Sequence, residues 1–269
     1  MELSRFLNGI HLMPEAIDKL ENLRITREQY EEVRNCFYAD RKEFYRRICQ
    51  KEEAHILFLY YFCRFACETY ERYVARGIED SVYWDTFYDI TLWCENCYRD
   101  YGEYGIAEYD WLYRHIEMSL FRFGRLQFEK TFAEPGWDVA QGREVISIHI
   151  PQGENLDRKA CLESVRRGRQ FWGTEYTYLC DSWVLEPELQ KILKEGSNIL
   201  QFQKLFDIMS VDKTCRQAEE RIFIRLQENP ADYPEKTSLQ KAARKYLMAG
   251  GKLGCGVGRL KLEEWKTKE

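Results

Sequence analysis

Two short runs of alternating residues carry side chains able to move a proton. From Phe123 onward, Arg125, Gln127 and Glu129 share one face of an extended chain, while Leu126 and Phe128 take the other. Val145, Ser147 and His149 likewise share a face, opposite Ile146, Ile148 and Ile150. If the two strands pair antiparallel through the turn holding Pro135-Gly136 and Gln141-Gly142, Gln127 and Glu129 lie close to His149 in one wet cleft. The register that decides this is not written in the sequence. An imidazole beside a carboxylate suits general-base chemistry, directly or through water. The plainer readings are a His149 that holds the turn by a hydrogen bond and a Glu129 ion-paired to Arg125. A third run sends Cys180 and Ser182 one way and Asp181 and Trp183 the other, and a serine there also reads as a small packed hydroxyl.

The turn Pro151-Gln152-Gly153-Glu154-Asn155-Leu156 sits between a strand ending at Ile150 and a helix beginning near Asp157. A glycine there lets backbone N–H groups approach an anion, and a helix start favours negative charge. Arg158 and Lys159 in the first helical turn oppose the helix dipole, a placement that makes sense if they meet phosphate. The alternative is a polar turn with solvated charges.

The elements that must position these groups divide the chain near residue 119. No proline falls between Pro14 and Pro135, and residues 1–119 hold fourteen of the eighteen tyrosines. This part carries 15 Lys/Arg against 23 Asp/Glu, a net of −8, while residues 120–269 carry 25 against 22, a net of +3. An anionic ligand therefore belongs with the second part. The first part reads as a helical domain over 1–119. Helices are predicted from a capping box at Thr26 and Gln29 towards Tyr45, over Glu52–Arg76, Ser81–Tyr98 and Ile106–Met118, with Gly77 and Gly102 as stops. The second domain, 120–269, mixes strand and helix. Strands are predicted at Leu120–Phe132, Glu144–Pro151, Tyr176–Leu185, Phe206–Val211, Glu220–Leu226 and a glycine-rich last run to Leu262; helices at Asp157–Trp172, opened by Pro187 and over Ser238–Met248, with a helix or turn from Ser197. The fold class is α+β.

This order, with the phrases FGRLQFE (Phe123–Glu129), SIHIPQGENL (Ser147–Leu156), CDSWVLEPEL (Cys180–Leu189), SNILQFQKLF (Ser197–Phe206) and the late AGGKLGCGVG, resembles a bacterial two-domain family. That family joins a helical N-acyltransferase-type N-terminal domain to a GNAT-like C-terminal domain. The resemblance implies a sheet that splays between two parallel strands to admit acetyl-CoA or another acyl-CoA, a small-molecule amine acceptor and direct transfer. It also implies a helical domain that covers or shapes the acceptor pocket. The usual phosphate loop of the fold, Gln or Arg followed by x-x-Gly-x-Gly or Ala, is absent, and the turn after Ile150 stands in its place. On this likeness Ile148, Ile150, Gln152, Gly153, Asn155, Leu156 and Arg158 meet CoA, with the Ile150 N–H polarising the thioester. His149 or Glu129 is the base, Ser182 donates to the leaving sulfur or lines the acceptor pocket, and Arg125, Gln127 and Asp181 line the acceptor pocket. The alternative is a non-catalytic module that keeps the fold to sense a metabolite or dock a partner.

Other chemistries find less support. No run approaches the ~18 apolar residues of a membrane span, and no secretory signal is visible, so a cytoplasmic location with reduced thiols is expected, without a membrane partner. Cys63, Cys67, Cys94 and Cys97 could offer four thiolates to zinc, but their aromatic surroundings read as core, and no metal is expected. The arginines 166, 167 and 169 lack interleaved stacking aromatics, and the chain is acidic, so no nucleic-acid partner is expected. No G-x-S-x-G elbow exists. Tyr246 falls on a clean apolar stripe with Leu239, Ala242, Ala243 and Leu247 and reads as core.

Overall fold

The structure is a computed structural model that describes residues 1–137 and 139–261. It divides into two units, Met1–Phe123 and the chain from Gly124 onward.

The first unit runs α1 (Leu3–Gly9), α2 (Pro14–Asn22), α3 (Arg27–Ala39), α4 (Arg41–Cys49), α5 (Ala54–Ala75), α6 (Asp80–Phe87), α7 (Asp89–Tyr101), the short α8 (Tyr113–Ile116) and a strand β1 (Leu120–Phe123). α5 is its axis: Phe58, Leu59, Phe62, Cys63, Phe65 and Ala66 are wholly buried on several sides of the helix, as an all-round apolar sequence requires. Phe65 stacks on Phe37 at 4.7 Å, and the Tyr83 hydroxyl donates to the Ala66 carbonyl at 2.9 Å. Thr26 and Gln29 form the capping box. The helix expected to reach Tyr45 is instead two helices, because the Asp40 carboxylate accepts from the Glu43 N–H at 3.1 Å and starts α4 afresh. Ser81–Tyr98 likewise breaks at Tyr88 into α6 and α7, and Gly102 ends α7 in the left-handed conformation at φ 72°. Ile106–Met118 is mostly turn. A Cβ on Gly105 would lie 2.4 Å from the His55 carbonyl carbon, and Ile106 N–H donates to His55 O at 2.9 Å, so a close backbone approach sets this segment and only α8 is helical. β1 is held by the Arg122 N–H on Thr86 Oγ1, 2.9 Å.

The second unit contains β2 (Leu126–Phe132), β3 (Glu144–His149), α9 (Arg158–Trp172), β4 (Tyr178–Ser182), α10 (Asn198–Gln203), β5 (Phe206–Asp212), α11 (Gln217–Phe223), α12 (Ser238–Met248) and β6 (Cys255–Leu260). Its sheet has the order β2-β3-β4-β6-β5, with β3 and β4 parallel and the other neighbours antiparallel. The parallel pair is joined by α9, as a parallel crossover requires. α9 packs on the Phe128 face, where Gly168 lies so close that a Cβ would sit 2.8 Å from the Phe128 ring. The opposite face carries an apolar patch of Trp137, Val145, Leu179 and Val257 beside the polar row.

Three expectations change in this unit. The run Leu120–Phe132 is interrupted at Gly124, φ 69°, which separates β1 from β2. Glu220–Leu226 is not a strand: Ala218, Ile222 and Phe223 form one buried face of α11 and pack with Tyr233, Ala243 and Leu247. Tyr176–Leu185 shortens to β4, and Trp183–Leu185 and Pro187–Lys191 are 3₁₀ turns. The helix or turn expected from Ser197 is the short helix α10, the helix at Ser238 stands, and Leu262 at the end of the last expected strand lies outside the described residues. Among the described residues no helix is long and apolar enough to cross a membrane.

Candidate active site

The β2–β3 register places Gln127 opposite His149 and Glu129 opposite Ser147. The diagonal brings the Glu129 carboxylate to His149: Oε2 lies 2.8 Å from Nε2, with the histidine side chain 24% and the glutamate 9% exposed. The pair is thus reachable from solvent through the imidazole, while the carboxylate behind it is nearly enclosed. In the neutral tautomer that donates Nε2–H to Glu129, the lone pair is on Nδ1. Gln127 is 1% exposed, and its Nε2 donor has no hydrogen-bond partner among the described residues.

Asp181 joins the same face from β4, two residues beyond Leu179, the partner of Ser147. Trp137 lies over it and donates Nε1–H to Oδ2 at 3.3 Å. Crowding by the surrounding protein lifts the Asp181 carboxyl above its ordinary pKa; the Trp137 hydrogen bond and the nearby His149 pull it down, and Asp212 pushes it up. Ser182 falls elsewhere. Its Oγ caps the following turn by accepting from the Val184 N–H at 3.4 Å, and its neighbour Cys180 is fully buried with a thiol raised by burial. The structure therefore gathers Glu129, His149, Gln127 and Asp181, and gives Ser182 a local backbone partner.

β3 and β4 are paired at Ile146↔Tyr178 and Ser147↔Leu179. β3 runs on to His149 and β4 to Ser182, but the end of β4 is partnered by β6, with Asp181↔Val257 and Ser182↔Gly256. The parallel ladder thus stops short of both strand ends. Ile146 N–H donates to Thr177 O at 3.0 Å, and amides of one sense recur every second residue along a strand, so the Ile148 N–H also faces β4; Ile150 follows the end of β3.

The Pro151–Leu156 turn follows. Gly153 has φ 108° and open space where a Cβ would stand. Arg125 is 5% exposed and reaches under the turn rather than along the polar row: Nη1 donates to Pro151 O at 2.9 Å, Nη2 to Glu154 O at 2.7 Å and Nε to Asn155 O at 3.1 Å. Its own N–H donates to Ser164 Oγ on α9 at 2.8 Å. At the helix start, Asp157 is the cap and its carboxylate accepts the Ala160 N–H at 3.0 Å, so α9 opens with Arg158 and one terminal donor is already taken. Neither the Arg125 contact nor the Trp137–Asp181 bond was legible in the sequence, since both join distant segments through side chains. The thiols of the C-x-x-C region are buried: Cys67 and Cys97 are pushed up to about 11 and Cys94 to about 12, and burial raises the Cys63 thiol too. Among the described residues no three metal-ligating side chains gather. Tyr246 packs against the α11–α12 core and its hydroxyl bonds the Glu188 carboxylate.

Residues 1–118 match the N-acyltransferase N-terminal domain family and residues 120–260 the GNAT-like C-terminal domain family. The chain belongs to this two-domain N-acyltransferase family. Among solved structures, this family member is similar to an acyltransferase mutant in complex with octanoyl-CoA, with 20% identity and a TM-score of 0.79 over 96% of this chain and 87% of that one. It is also similar to an acyltransferase in complex with decanoyl-CoA and teicoplanin, with 21% identity and a TM-score of 0.70 over 97% of this chain and all of the other. No curated protein matches this N-acyltransferase family member in sequence.

Proposed function

We propose that the protein is an acyl-CoA-dependent N-acyltransferase that moves an acyl group to an amine by direct transfer. The observation that carries this reading is the Glu129–His149 pair standing beside a parallel β3–β4 ladder that stops before both strands end. Acyl-CoA lies along the free edge of β3, with its thioester carbonyl at the Ile150 N–H and its diphosphate at the turn that follows. The amine nitrogen attacks the carbonyl carbon, His149 Nδ1 takes the proton released from nitrogen, and Glu129 stabilises the imidazolium. Collapse breaks the C–S bond, and the proton passes from His149 to the departing thiolate. Ser182, whose Oγ accepts from the Val184 N–H, is not required by this path. Similar proteins crystallised with octanoyl-CoA and decanoyl-CoA support a medium-chain acyl donor, and the one that also holds teicoplanin supports a small-molecule acceptor.

The test is thiol release from octanoyl-CoA across a panel of amines. Amine-dependent release is expected. Tight acyl-CoA binding without release to any amine would instead make the protein a binding module, the reading that the missing phosphate-loop consensus favours.

A further inference from the structure

A trans peptide holds its C=O and N–H in one plane pointing in opposite directions, and the chain contains no cis peptide among the described residues. Each carbonyl drawn to Arg125 therefore turns the next residue's amide away from it. The carbonyls of Pro151, Glu154 and Asn155 all face the guanidinium. The amides they orient are those of Gln152, Asn155 and Leu156, and among the described residues none of the three donates a hydrogen bond. The Glu154 and Asn155 carbonyls meet the same guanidinium, so the N–H groups of Asn155 and Leu156 both point away from it. Behind them stands a buried cation whose field Cys161 on α9 also feels.

We infer that Arg125 is a positioning residue that holds the amides of Gln152, Asn155 and Leu156 outward as the diphosphate-binding surface, in place of the missing glycine-rich phosphate loop. This rests on the acyl-CoA reading above. The bonds from Nη1, Nη2 and Nε fix the turn at both its beginning and its end, and the Arg125 N–H on Ser164 fixes it to α9. The helix terminus contributes less, because Asp157 places a carboxylate there and occupies the Ala160 amide. A lysine could reach one of the three carbonyls but lacks the planar fork that spans them.

The inference is tested by comparing octanoyl-CoA with octanoyl-pantetheine, which has the same thioester but no diphosphate. In Arg125→Met, kcat/KM for octanoyl-CoA is expected to fall at least about tenfold further than for octanoyl-pantetheine, through KM rather than kcat, the size of a lost charge-assisted hydrogen bond. Arg125→Lys is expected to fall between Arg125→Met and the wild type. Equal losses on both donors, or none, would overturn the inference. Should the variants not fold, amide NMR of the wild-type chain decides: CoA is expected to shift the Gln152, Asn155 and Leu156 amides and pantetheine to leave them in place, and unmoved amides at saturating CoA would overturn it. Wild-type protein that binds neither donor would fail the acyltransferase reading itself, a distinct result.

Discussion

The helical unit and the sheet unit use their side chains for different ends. In the first, tyrosines and phenylalanines interlock around α5, and polar tips turn inward to backbone groups, as Tyr83 does to Ala66 and Thr91 to Ile10. In the second, one face of a sheet gathers Glu129, His149, Gln127 and Asp181, and a neighbouring turn keeps amides outward. Packing of the first kind contributes stability. The second arrangement leaves a donor on Gln127 and an accessible imidazole, which cost stability and make chemistry available. Substitutions in the two units should therefore separate, one class lowering stability and the other lowering turnover.

The sharpest separation is expected from His149→Ala. Removing the general base should lower kcat for thiol release by about 10²–10⁴-fold while octanoyl-CoA affinity and the melting temperature change little. Steady-state kinetics with thermal unfolding checks this, and a variant that keeps full turnover would move the base elsewhere. Phe65→Ala is the counterpart in the helical unit. Phe65 is fully buried against Phe37, and its loss should cost about 3–5 kcal/mol in chemical denaturation, with turnover per folded molecule nearly kept.

The sheet residues were readable where a simple period governs them. Alternation along β2 and β3 put Glu129 and His149 on one face, and the structure supplies the register that joins them. Period alone failed at Glu220–Leu226, where a short apolar run fits strand and helix equally, and packing against α12 chose helix. It failed again at Ile106–Met118, where the approach of Gly105 to His55 overrides local preference. Arg125, expected on a strand face, sits in the Gly124–Arg125 turn just before β2, and its partners are main-chain carbonyls some thirty residues away, a reach that no local sequence pattern encodes.

Two smaller effects refine the contrast within the sheet unit. Ser182→Ala removes a turn cap and should cost about 0.5–1 kcal/mol in denaturant unfolding, with kcat held within about threefold. A loss of turnover comparable to His149→Ala would return Ser182 to the proton path. Asp181→Asn is the smallest and has a definite sign. Because crowding raises the Asp181 pKa in the folded chain, the folded state holds this proton to higher pH than the unfolded chain does, and stability falls as pH rises through that window. Above it the ionised carboxylate is a burden. The asparagine variant should melt slightly higher than wild type at pH 7, by no more than about 0.5 kcal/mol of stability, and the difference should close as pH falls towards about 4. A difference that grows on acidification would reverse the assignment.

The central claim is that the open edge between β3 and β4 and the turn after Ile150 together hold an acyl-CoA. Calorimetric titration of the folded protein with octanoyl-CoA tests it most directly. Saturable binding of one octanoyl-CoA per chain is expected, with a matching rise in melting temperature, and the absence of both heat and thermal shift in well-folded protein would overturn the acyl-CoA reading.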